Sequence, residues 1–130
     1  MKSILLDTNA YSAILRNQGE TVLDAIDGVE NLFFSVVVLG ELYAGFRNGS
    51  RFRENTESLK EFLSDPIVSI ADVNEETAEI FGELKSVLKN QGTPIPLNDI
   101  WIAAQCVERG AVLVTLDKHF SNIPGLRIWS

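Results

Sequence analysis

Five short apolar runs constrain this chain more than any other feature. They lie at residues 3–6 (SILL), 32–35 (LFFS), 67–71 (IVSIA), 112–115 (VLVT) and 126–129 (LRIW). Each is too short for a stable helix. A continuous apolar run bounded by polar residues suits a strand covered on both faces. The stretches between them read as helices at about 8–17, 20–28, 36–47, 52–64, 75–90 and 98–109. Gly110 reads as a helix stop, and Pro66 separates a helix from the next strand. Strands alternating with helices imply an α/β fold: a mainly parallel, five-stranded sheet with helices on both faces.

The chain has 130 residues and no repeats, linkers or low-complexity tracts, which predicts one domain over 1–130. A domain of this size buries roughly two thirds of its unfolded surface and folds without staples. The net charge is −7 and the pI about 4.6, so bulk charge does not advertise nucleic-acid binding. That counts against such a function unless the acids have a special job. Cys106 is the only cysteine, which rules out an internal disulfide and fits a reducing compartment. Its apolar helical context, IAAQCVERG, reads as a buried, inert thiol. His119 is the only histidine, leaving little for a His-rich zinc site or a His-based catalytic pair. MKSILLD is too short in its apolar part for a signal peptide, and LFFSVVVLGELYAGF is interrupted by Glu41 and too short to span a bilayer. A cytoplasmic protein is expected.

Four acids occupy informative places. Asp7 stands where the first strand leaves the sheet, followed by Thr8 and Asn9. Asp117 repeats that placement after VLVT, with the Thr115 hydroxyl nearby. Asp99 opens a helix in PLNDIWIAA, where Asn98 or Asp99 reads as a cap. Glu41 has Val37, Val38, Ala44 and Gly45 as helical neighbours, so it does not lie on an obviously solvated face. Each acid also has an ordinary explanation: a cap, a turn, or a side chain that snorkels to water. The joint pattern is more telling. Ligands of an open parallel sheet bind outside the carboxyl ends of the strands, where Asp7 and Asp117 belong. Carboxylates converging without Lys or Arg repel one another, and some protonate unless a cation joins them. Oxygen ligands favour Mg²⁺ or Mn²⁺ over zinc. Such a site can bind a phosphate ester, activate water and stabilise the leaving oxygen.

With these residues in view, the chain resembles the PIN-domain family, and within it the VapC-type toxins of toxin–antitoxin pairs. The markers are LLDTNAY, SVVVLGELYAGF with Glu41, PLNDIWIAA with Asp99, and LVTLDKHF with Asp117, in that order across essentially the whole chain. The resemblance implies a doubly wound sheet and a metal-dependent ribonuclease blocked by a small antitoxin. In that reading Asp7, Glu41, Asp99 and Asp117 form the acidic site. Asp7 and Asp99 bind Mg²⁺, with Mn²⁺ able to substitute. Asp117 binds the same ion or a second one, and Glu41 orients the attacking water or binds through it. Asn9 and Thr115 stand where the family often carries supporting polar residues. Thr8 or Asn9 is then left to cap the first helix. The implied products carry 3′-hydroxyl and 5′-phosphate ends, transfer or ribosomal RNA is the usual target, and a homodimer is expected. A housekeeping PIN nuclease and a receiver-like Mg²⁺-binding phosphoacceptor are the alternatives. The latter normally needs adjacent acids after its first strand, where this chain has Thr8 and Asn9. A haloacid-dehalogenase-like phosphatase needs an Asp at position 9.

Arg47, Arg51 and Arg53 cluster in RNGSRFR and can hold RNA phosphates at the rim, or simply decorate a solvated connection. Leu59, Phe62 and Leu63 share one helical face, and Val22, Leu23, Ile26 and Val29 form a second amphipathic face. Apolar stripes of this kind usually face the core. The two helices can instead form a groove lined by Val22, Ile26, Leu59, Phe62 and Leu63, a reading that the family likeness favours, and an antitoxin's C-terminal segment is expected there with an Arg reaching the four acids. Trp101 reads as core or interface.

Overall fold

The structure is a computed structural model and describes residues 3–129. The chain order is β1 (Ser3–Leu6), α1 (Thr8–Leu15), α2 (Glu20–Ile26), β2 (Asn31–Ser35), α3 (Val36–Asn48), α4 (Phe52–Leu63), β3 (Val68–Ala71), α5 (Glu75–Gln91), α6 (Leu97–Glu108), β4 (Val112–Val114) and a 3₁₀ helix (Lys118–Asn122). The strands form one parallel sheet in the order β3-β2-β1-β4. Leu5 is flanked by Phe33 on one side and Leu113 on the other. Ile4, Leu5 and Leu6 are fully buried, so both faces of the central strand are covered.

The expected fifth strand is reduced to a fragment. Ile128 makes one parallel bridge to Leu113, and Leu113 exchanges hydrogen bonds with Arg127 (2.8 Å) and Trp129 (2.9 Å). β4 is three residues long, so it offers little ladder to extend. The strand order also rules against the receiver-like alternative, whose sheet runs 2-1-3-4-5. Here the chain steps outward through β1, β2 and β3, then returns to place β4 on the free side of β1. The order therefore reverses between β1 and β4, and a crevice opens at the carboxyl ends of those strands.

Two devices hold the helices that border this crevice. Tyr11, Phe34 and Phe62 pack edge to face, with centroids 5.2–5.8 Å apart, tying α1 to β2 and α4. Gln105, fully buried on α6, accepts a hydrogen bond from Ser35 (2.5 Å) and donates to the carbonyls of Ala71 (2.9 Å) and Asp72 (3.3 Å). Ser35 also caps α3 by accepting from the amides of Val37 and Val38. One amide side chain thus fixes α6 against the start of α3 and the end of β3. α1 turns into α2 through Asn17, at φ 58°, and Gly19, where a Cβ would sit 2.9 Å from the Ile14 nitrogen. Phe81 stacks on Trp101 at 3.9 Å between α5 and α6, so Trp101 is a half-buried packing residue.

Candidate functional site

Asp7 leaves β1 in an extended conformation and is 3% exposed. Its Oδ1 accepts the Ala10 amide (3.0 Å), so Asp7 itself caps α1, in place of the expected Thr8 or Asn9. Its Oδ2 accepts the Thr115 hydroxyl (2.5 Å), and Thr115 in turn accepts the Asp117 amide (2.9 Å). Thr8, relieved of capping, donates to Glu41 Oε1 across 2.6 Å. Asn9 accepts the Leu116 amide at 3.1 Å, tying α1 to the segment after β4. Asn9 and Thr115 therefore both support the crevice, through bonds that span more than a hundred residues of sequence.

Glu41 lies half-buried on α3. Asp99 sits in the first turn of α6, but the cap residue there is Pro96 and no side chain caps the helix, contrary to the expectation for Asn98 or Asp99. Relieved of that duty, the Asp99 carboxylate turns to His119, with Oδ2 2.7 Å from Nε2. The other ring nitrogen, Nδ1, lies 2.8 Å from Asp117 Oδ1. His119 was the residue that sequence reasoning passed over. Its signal was position: two residues after Asp117, at the start of a 3₁₀ helix that the sequence pattern did not announce. Both contacts are donated hydrogen bonds only when the ring is an imidazolium.

The four acids line one open cavity of about 350 Å³ together with Thr8 and Asn9. Ser12 and Arg16 complete its α1 wall. Burial pushes the Asp7 carboxyl up to about 6; bonds from Thr115 and Ala10 pull it down, and Asp99 and Asp117 push it further up. Burial likewise raises Asp99, opposed by His119 and reinforced by Glu41 and Asp117. The carboxylates therefore feel one another. Among the described residues no lysine or arginine forms an ion pair with them.

The sequence matches the PIN domain family over residues 4–126. The chain belongs to the PIN-domain family. It is 28% identical over 127 residues to a protein named ribonuclease VapC1 from Haemophilus influenzae strain R2866, covering 95% of this chain and 93% of that one. It is also 28% identical over 130 residues to a tRNA(fMet)-specific endonuclease VapC from Salmonella typhimurium, covering 98% and 97%. Its structure is similar to that of VapBC2 from Rickettsia felis bound to a promoter DNA fragment, with a TM-score of 0.88, 26% identity, and 98% and 97% of the two chains covered.

PIN-domain nucleases work with a divalent metal, and the donor set here fits one. Ligand atoms of Asp99, Asp117 and His119 lie within 4.8 Å of one another. Four mutually repelling carboxylates with no lysine or arginine paired to them among the described residues form a hard oxygen-rich pocket.

Other expected parts of this PIN domain fall elsewhere. Arg51 pairs with Glu54 at 2.6 Å, and Arg47 lies 4.6 Å over the Phe52 ring. Neither these nor the exposed Arg53 lines the acidic cavity. Val22 and Leu59 are 1% and 0% exposed, so they are core residues and not groove walls. A separate groove of about 320 Å³ does lie between α2, α4 and β3, with Ile26, Phe62 and Ile67 in its wall and Glu61 and Asp65 among its polar lining residues. Leu63 is half-buried beside the core. Cys106 is buried, its thiol pushed up to about 12 by burial and donating to the Ala111 carbonyl, as an inert cysteine should be. No helix among the described residues is long and apolar enough to cross a membrane.

Proposed function

We propose that this chain is the toxin of a toxin–antitoxin pair, an endoribonuclease that uses Mg²⁺, or Mn²⁺ in its place, to hydrolyse RNA phosphodiester bonds. The observation that carries this reading is the meeting of Asp7, Glu41, Asp99 and Asp117 around one cavity at the reversal of strand order. Whole-length similarity to proteins named ribonuclease VapC supports the same reaction. Transfer RNA or ribosomal RNA is the proposed substrate class.

Asp7, Asp99 and Asp117 would hold the cation. When bound, it supplies positive charge to the phosphate and acidifies water. The protein's own part is orientation. Thr115 and the Ala10 amide fix both oxygens of Asp7, so its carboxylate cannot swing away. Thr8 occupies Oε1 of Glu41 and leaves Oε2 to accept a proton from the attacking water. His119 bridges Asp99 and Asp117 through its two ring nitrogens and so orients both carboxylates toward the cavity. The inhibitor is proposed to lay an apolar helix against Ile26 and Phe62 and to send an arginine fork to the four acids. A homodimer completes the proposed assembly.

Expression in a bacterial host tests the reading. The wild-type chain should arrest growth, Asp99→Ala should not, and co-expression with the small gene beside it should restore growth. Normal growth with soluble wild-type protein would remove the toxin reading and leave a housekeeping PIN nuclease.

A further inference from the structure

One basic side chain lines the acidic cavity without closing on any acid. Arg16 caps the C-terminus of α1, held there by the hydrogen bond from its backbone amide to the Ser12 carbonyl (3.1 Å). The turn at Asn17 and the tight approach of Gly19 to Ile14 fix its Cα. Its exposed guanidinium makes one long side-chain contact, from Nε to Gln18 Oε1 at 3.4 Å, and no ion pair among the described residues. Asp7 is held by Thr115 and the Ala10 amide and Asp99 by His119, so neither carboxylate takes Arg16 as its partner. Thr8, Ser12 and Arg16 recur every four residues and form one stripe along α1, all three in the cavity wall. Eight residues of helix separate Thr8 from Arg16 by about 12 Å. That places a fork-shaped cation further along the same wall than Thr8, which holds Glu41.

We propose that Arg16 binds a backbone phosphate of the RNA away from the cleaved bond, with the strand running along the Thr8–Ser12–Arg16 stripe of α1. The inference rests on the ribonuclease reading and adds a binding residue to it. The charge logic is direct. A chain of net charge −7 repels RNA, and an arginine that faces an acidic pocket unpaired is available to an arriving anion. Arg47, Arg51 and Arg53, the basic cluster evident in the sequence, do not line this cavity. Ser12, half-buried between Thr8 and Arg16, offers a hydroxyl on the same path.

The test compares wild type, Arg16→Ala and Arg16→Lys by fluorescence anisotropy with a labelled, mixed-sequence, single-stranded oligoribonucleotide in Mg²⁺ over a KCl series. Arg16→Ala should weaken binding about tenfold, the lower end of what charge-assisted hydrogen bonds contribute. Its plot of log affinity against log salt should be shallower by about 0.7, the loss of one single-strand phosphate contact. Arg16→Lys should keep the slope and recover only part of the affinity. The Mg²⁺-induced rise in melting temperature should be equal in all three proteins. Unchanged affinity and slope in Arg16→Ala would overturn the proposal, as would loss of the Mg²⁺-induced rise, which would make Arg16 part of the metal pocket. Arg16-dependent binding by a wild-type protein that cleaves no RNA would keep this contact and remove the nuclease reading. No binding by wild type would remove both.

Discussion

Replacing Asp7 by Asn should stabilise the metal-free protein at neutral pH, and the structure sets the size of the effect. Asp7 is 3% exposed, and its carboxyl is raised to about 6. In the unfolded chain it titrates near 3.9. The folded state therefore keeps the proton over a range in which the unfolded state has lost it. The stability linked to this group is complete below about pH 3.9 and is lost as pH rises through about 6. At roughly 1.4 kcal/mol per pH unit, the loss amounts to about 3 kcal/mol at pH 7.5. Asn at position 7 removes the charge and keeps an oxygen for the Ala10 amide. It turns an amide toward Thr115, whose hydroxyl hydrogen then loses its acceptor, at a cost of about 1 kcal/mol. The net expectation is a gain of about 1–2 kcal/mol at pH 7.5, or roughly 4–8 °C in Tm for a chain of this length. Urea denaturation in EDTA at pH 4, 6 and 7.5 measures it. The difference between Asp7→Asn and wild type should grow with pH across this range and should vanish or reverse at pH 4. A difference independent of pH, or a less stable variant at pH 7.5, would refute the reasoning.

Gln105→Leu should cost about 2–5 kcal/mol in urea denaturation, because it takes the side-chain donor from the Ala71 carbonyl and leaves the buried Ser35 hydroxyl hydrogen without its acceptor. Asp99→Asn should abolish the Mg²⁺-induced rise in Tm, which in wild type reaches about 2.7 kcal/mol of stabilisation at a hundredfold excess of cation over its Kd; an undiminished rise would remove Asp99 from the metal site. Ile26→Asp should weaken antitoxin binding at least tenfold in a calorimetric titration while the chain stays folded, since Ile26 lines the groove and is only partly buried. Leu59→Asp is the wrong probe for that surface, because Leu59 is fully buried and a charge there would unfold the domain.

The short apolar runs made the sheet legible, because a central strand buried on both faces leaves no room for polar alternation, whereas the edge strand β3 leaves Ser69 and Ile70 exposed. Ile4, Leu5 and Leu6 are the clearest case, each at 0% exposure. The end of the sheet was harder to read. LRIW carries strand residues, but whether they pair depends on β4, which offers only three residues. Asp7, Asp99 and Asp117 were legible through their placement at strand ends and a helix start, and Glu41 through its apolar helical neighbours; the structure gathers all four in one cavity. Their local partners were not. Asp7 both caps α1 and faces the cavity, because a carboxylate has two oxygens and the structure uses each separately. His119 carried only a positional signal, two residues after Asp117, and Arg16 carried none, since each meets the acids only when β4 folds back beside β1 and α1. Val22 and Leu59 show the converse limit. An apolar stripe reveals that a helix has a buried face, and tertiary packing decides whether that face meets the core or a partner.

Incubation of the purified chain with total RNA, in Mg²⁺ and in EDTA, beside folded Asp7→Ala and Asp99→Ala controls, tests the central claim most directly. Wild type should cut RNA in Mg²⁺, leaving 3′-hydroxyl and 5′-phosphate ends, and should be silent in EDTA. Both variants should be inactive while their metal-free melts remain cooperative. Cleavage that survives EDTA, or that either folded variant performs at the wild-type rate, would contradict the assignment of the four acids to a divalent-metal nuclease site.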